Sequence, residues 1–190
     1  MKKYYLQGIL AAAILVGAAF VACDEEEHTS TSGTTFEKME MDFTYEVSDD
    51  LLAVADITFV YTNPAGETTE VDTPLASKRW TQTFMAESLP AGFVVEVKVA
   101  MKQGVTLDKA QYVLTYGWTD AFREYRSDAK VHWKDGPDTD SESVTLTPNP
   151  SDPQALAAQI QSALNLMNRV YRYEVAADPD GSGYEVTDND

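Results

Sequence analysis

Cysteine is nearly absent: Cys23 is the only one in 190 residues. No disulfide can form within the chain and no thiolate zinc site can be built, so a folded domain must be held by its core alone. Histidine is almost as scarce, with only His28 and His132 present. An activated serine or threonine needs a base beside it, and His28 sits in a small polar stretch, which leaves His132. Its place between Val131 and Trp133 reads as the wet face of a short strand. No Gly-rich phosphate loop, no His-x-x-x-His pair and no nucleophile elbow occurs. Basic residues are outnumbered too, 14 Lys and Arg against 31 Asp and Glu, for a formal net charge of −17. Phosphate backbones and anionic membrane surfaces repel such a chain, which excludes nucleic acid as a partner. With so many acids, carboxylate pairs arise by chance, and none marks a glycosidase. The expectation is a non-enzyme that needs no cofactor.

Long apolar runs are missing as well, with one exception at the start. Lys2 and Lys3 precede an apolar run from Ile9 to Ala22, which has the charged, apolar and small-residue order of a secretory signal over residues 1–22. Counted from Leu6 to Ala22, with Gln7 included, the run is at the short edge of what spans a bilayer. It ends in Phe20-Val21-Ala22-Cys23, which resembles the lipobox of bacterial lipoproteins, with Phe20 where that family usually carries Leu. The resemblance implies cleavage before Cys23 and acylation of that residue, so the membrane becomes a partner through the lipid. Two or three acyl chains suffice for durable attachment. Asp24-Glu25-Glu26-Glu27 follows at once and resembles the surface-export signal of Bacteroidota lipoproteins. That resemblance implies a lipid-anchored protein on the outer face of the bacterial outer membrane. A self-repelling spacer is the plainer reading of the same acids, and in other Gram-negative groups an Asp after the Cys marks inner-membrane retention. Residues 23–35 together read as an acidic, then Ser/Thr-rich tether.

From Phe36 the pattern changes, and residues 36–187 read as one domain. Met39, Met41, Phe43, Tyr45 and Val47 alternate with Glu40, Asp42, Thr44 and Glu46, the period of a half-buried strand. Ser48-Asp49-Asp50 reads as a turn. Ala53 to Thr62 and Glu67 to Asp72, around Asn63-Pro64-Ala65-Gly66, predict a hairpin. Arg79 to Met85, Phe93 to Met101 and Gln111 to Thr119 follow as strands, with Lys130–Lys134 and Ser143–Thr147 as shorter ones. About eight strands separated by turn residues predict a mainly β, antiparallel sandwich. It loosely resembles immunoglobulin-like and transthyretin-like sandwiches, without the Cys…Trp…Cys signature. One helix interrupts them at about 152–170. Ser151 and Gln154 suit a capping box, and Leu156, Ile160, Ala163, Leu164, Met167 and then Val170 or Tyr171 form one apolar stripe. Arg172–Ala177 and Tyr184–Thr187 predict a terminal hairpin around Asp178–Gly183.

Two features could carry a ligand. Trp118, Phe122, Tyr125 and Trp133 lie among Asp120, Arg123, Glu124, Arg126 and Asp128. Rings flanked by hydrogen-bonding side chains can bind sugars or a protein partner; the same spacing also suits core packing. Residues 119–128 are expected to form an exposed loop that presents Phe122 and Tyr125. Asp178, Asp180 and Ser182, with Gly183, resemble the opening of a calcium loop. The match stops at Asn189, where a bidentate acid belongs, so an acidic hairpin turn is the simpler reading. The functional expectation is a non-catalytic, surface-displayed binding or assembly accessory. A carbohydrate-binding module using residues 112–133 and an adhesion or pilus-like subunit are the alternatives, with a glycan or an envelope protein as partner.

Overall fold

In the computed structural model, which describes residues 33–149, 152–178 and 183–188, alternation of side-chain polarity decides most of the backbone. The elements run β1 (Phe36–Val47), α1 (Asp49–Val54), β2 (Ala55–Thr62), β3 (Thr68–Val71), β4 (Arg79–Ala86) and β5 (Ala91–Met101). Then come β6 (Tyr112–Arg126), β7 (Val131–Leu146), α2 (Pro153–Leu166), β8 (Arg169–Ala177) and β9 (Tyr184–Asp188). All lie in the unit Thr34–Asp190. The signal segment, Cys23 and most of the tether lie outside the described residues.

The strands form two antiparallel sheets, β4-β1-β6-β7 and β3-β2-β5-β8-β9. Face to face they make the expected β-sandwich. Met39, Met41, Phe43, Tyr45 and Val47 all point inward from β1 and are buried. They meet Ile57 and Phe59 from β2, Phe93 to Val99 from β5, and Tyr171, Tyr173 and Val175 from β8. Aromatic contacts tie the layers at successive positions: Phe59 stacks on Trp80 at 4.1 Å, Phe84 on Phe93 at 4.3 Å, and Phe43 tilts on Tyr171 at 5.1 Å. Each fully buried ring contributes about 1.5–3 kcal/mol, which is how a domain without cross-links holds together.

Several boundaries differ from those expected. Ser48-Asp49-Asp50 opens helix α1 rather than a turn. The Ser48 Oγ accepts the Leu51 N–H at 3.2 Å, and Leu51 and Val54, three apart, both bury. The strand expected from Ala53 therefore starts at Ala55. Residues 119–128 are not an exposed loop: β6 runs through to Arg126, because it is paired by β1 on one side and β7 on the other. The two short strands expected at 130–134 and 143–147 are one 16-residue strand, β7. It carries Gly136-Pro137 internally, which an edge strand tolerates. The ladder takes up an extra residue between Asp120 and Phe122. Gly136 sits there at φ +76°, where a Cβ would lie 2.7 Å from the Asp120 carbonyl oxygen.

Helix α2 ends at Leu166, short of the expected 170. Asn168 stops it, donating from Nδ2 to the Leu164 carbonyl at 3.1 Å and to the Val99 carbonyl at 3.2 Å, while its Oδ1 accepts the Val99 N–H at 2.9 Å. Val170 and Tyr171 then belong to β8. The stripe from Leu156 to Met167 is buried as expected. The helix is capped by Asp152, which accepts the Ala155 N–H at 3.2 Å; Ser151 lies outside the described residues. The terminal hairpin β8–β9 forms as expected, with Ala177 opposite Tyr184.

Candidate functional site

The rings singled out in the sequence part company by strand parity. From Tyr112 to Glu124 the even-numbered residues of β6 face the other sheet, so Trp118 and Phe122 go into the core, at 6% and 1% exposure. Trp118 packs on Tyr171 at 5.1 Å and on Tyr116 at 6.2 Å, and the Arg169 guanidinium lies 5.7 Å from its ring. Arg169 is held there by Glu142, at 2.5 Å, which also accepts the Tyr116 hydroxyl at 2.7 Å. Phe122 rests on Tyr173 at 5.9 Å. Both rings are chiefly core packing, and only an edge of Trp118 lines a surface depression. Tyr125 points out of the opposite face, under the Lys38 ammonium at 4.8 Å. A row of four exposed rings does not exist.

Trp133 is the ring that remains. It sits on β7 and meets Tyr184 of β9 edge-on at 5.1 Å, where the edge strands of the two sheets come together. A cleft of about 330 Å³ opens there, lined by Glu124, Arg126, His132, Trp133, Asp178 and Tyr184, with the backbone of Ala177 and Gly183. The parity that buries Phe122 also buries Glu124, at 1% exposure the only charged side chain in the core among the described residues. The Arg126 Nε donates to its Oε1 at 2.7 Å, and this hydrogen bond raises the Arg126 pKa. Burial, and then the hydrogen bond to Glu124, push the Tyr184 hydroxyl above its ordinary value. The floor is thus a carboxylate paired with a guanidinium and hydrogen-bonded by a phenol. The wall is an indole.

His132 stands at the cleft rim in a second ladder irregularity, between Glu124 and Tyr125. Its Nε2 lies 2.9 and 3.1 Å from the two Asp128 oxygens, and that contact holds the Asp128 carboxyl below its ordinary range. The contact ties His132 to the turn that carries Asp128.

Of the calcium-like group, Asp180 and Ser182 lie outside the described residues. The Asp178 N–H donates to the Gly183 carbonyl at 2.9 Å, closing the hairpin. Among the described residues no three acids, histidines or cysteines are placed to hold a metal ion. A neighbouring depression of about 230 Å³ gathers Asp120, Asp138, Asp140 and Asp188 beside Trp118 and Thr139. Asp120 accepts the Tyr173 hydroxyl at 3.1 Å. Burial raises its carboxyl to about 6, and Asp138, Asp188 and Asp135 push the same way.

The sequence pointed to Trp133 and Asp178 as ligand candidates and to Glu124 and Arg126 only as flanking polar residues, and it did not point to Tyr184. The signal for Glu124 was its parity with Trp118 and Phe122, three periods and one period of the pleat away. Among the described residues no helix is long and apolar enough to cross a membrane. No family model, curated protein or solved structure matches the chain.

Proposed function

We propose that the chain is a non-catalytic, lipid-tethered protein of the bacterial outer-membrane surface that binds a small polar ligand, best fitted by a saccharide, in the cleft beside Trp133. The observation that carries the binding reading is the cleft's composition: one half-exposed indole wall over a floor whose charges are already paired. A sugar offers an apolar ring face for the indole and hydroxyls for the Arg126, Asp178 and His132 side chains. It brings no charge to oppose Glu124. The tether reading is supported by the lipobox-like Phe20-Val21-Ala22-Cys23 and by the acids that follow it.

Residues 34–190 hold the whole described core, so this part can be screened on a glycan array. The expected result is binding to a narrow set of neutral glycans, abolished by W133A with the fold intact by circular dichroism. An array with no signal, or one that W133A leaves unchanged, removes the saccharide. Intact-mass measurement of the native protein tests the anchor separately: a free Cys23 thiol, or residues 1–22 still attached, removes the lipid.

A further inference from the structure

A sandwich has four free strand edges, and an exposed edge is a template for pairing unless something blunts it. Three are blunted here. β7 carries Pro137, two ladder irregularities and the acids Asp135, Asp138, Asp140 and Glu142. β3 is four residues long with Glu70 within it. β9 is five residues long with Glu185 and Asp188. β4 has only one of these devices, the charge of Arg79 at its first residue. It is eight residues, pairs with β1 in unbroken register from Arg79 to Ala86, and between Trp80 and Ala86 has no charge and no proline.

Its open side can be worked out from the ladder. The Val47 N–H donates to the Lys78 carbonyl at 2.9 Å, so the even-numbered residues of β4 turn their backbone groups towards β1. Antiparallel alternation then turns those of Arg79, Thr81, Thr83 and Met85 outward. Two of the outward carbonyls are met only by short-range side chains, Arg79 O by the Ser77 hydroxyl and Thr83 O by the Gln82 amide, each at 2.9 Å. No strand pairs with this edge among the described residues.

We infer that β4 is a self-association edge, pairing antiparallel with β4 of a second copy about a two-fold axis through Gln82. The sequence of the strand singles out this occupant. With Gln82 opposite Gln82, Thr81 and Thr83 exchange backbone hydrogen bonds, as do Arg79 and Met85, and all of these are outward-facing positions. On the inner face Trp80 stands opposite Phe84, an aromatic cross-strand pair. Side-chain parity is kept, so both copies continue the same buried face. Charge does not oppose it: Lys78 and Arg79, paired with Asp49 and Glu46 of their own chain, precede the strand's neutral centre, and Glu87 follows it. Antiparallel pairing brings the basic end of one copy to the acidic end of the other. Elsewhere two bodies of net charge −17 repel, so the neutral edge is where copies can meet. Such pairing would link lipid-tethered neighbours side by side, yet it depends neither on the lipid nor on the cleft.

The test uses residues 34–190 at physiological salt. Sedimentation velocity over a concentration series should show a dimer that grows with concentration. T81K/T83K, which sets lysines directly opposite one another, should weaken it about tenfold or more, while T139K/S141K on β7 leaves it unchanged. Position 82 meets itself at about 4.5 Å between Cα atoms, within disulfide reach. Q82C should therefore oxidise to a covalent dimer and T81C should not. A monomer at every concentration, a dimer indifferent to T81K/T83K, or equal cross-linking of Q82C and T81C would each overturn the inference.

Discussion

Two clusters in this domain use the same four kinds of side chain and reach opposite ends. One is Trp118, Tyr116, Arg169 and Glu142; the other is Trp133, Tyr184, Arg126 and Glu124. In the first, Arg169 lies over the rings and reaches outward to Glu142, whose side chain is 49% exposed. The indole becomes core because the guanidinium covers it. In the second, Arg126 turns inward to a buried carboxylate, and the indole is left facing a cleft. The placement of the acid decides which way the arginine points. The arginine decides whether the tryptophan is packing or surface.

The contrast can be broken at its rings first. W118A empties a fully packed position and should lower the unfolding free energy by about 4 kcal/mol. W133A, half-exposed, should cost no more than about 1 kcal/mol. Urea melts that rank the two equally would end the comparison. Its second half lies in the ion pairs. R126M leaves the Glu124 carboxylate buried without its cation and should cost about 3 kcal/mol. R169M breaks a pair open to water and should cost about 1 kcal/mol or less.

The smallest effect belongs to Asp120, between the two clusters. It faces Tyr173 of β8, Asp188 of β9, and Asp135 and Asp138 of β7. Its folded pKa, about 6, lies above the 3.8 of the free group, so the folded state binds the proton more tightly. Its share of stability is present below about pH 4 and is lost as pH rises through 6, about 1 kcal/mol after allowance for solvent screening. D120N, which keeps an oxygen for the Tyr173 hydroxyl, should flatten the pH dependence of stability between pH 4 and 7. An unchanged profile would place that titration elsewhere.

How much of this was legible in the sequence depends on how cleanly each strand alternates. β1 alternates cleanly from Met39 to Val47, and in β2, β5 and β8 the large apolar residues fall mostly on one parity, so their positions follow directly. The second half of β6 does not: Asp120 and Glu124 occupy inward positions, so polarity stops reporting direction where the site begins. β7 hid because an edge strand can hold Gly136 and Pro137 without breaking. Val170 and Tyr171 fit both a helical stripe and a strand, and Asn168 is what separates them. For the site, Trp133 and Asp178 could be named as types. That Arg126, Glu124 and Tyr184 converge depends on pairing between hairpins of different sheets, which no local pattern encodes.

Asn168 has a further consequence. One amide group is bonded at once to the last turn of α2 and to both backbone groups of Val99 near the C-terminal end of β5. The helix therefore cannot lift away as a flap while the sheet stays whole. Its amide protons should exchange with solvent on the same slow clock as those of β5, and a protease should find no early nick site between Leu166 and Arg169.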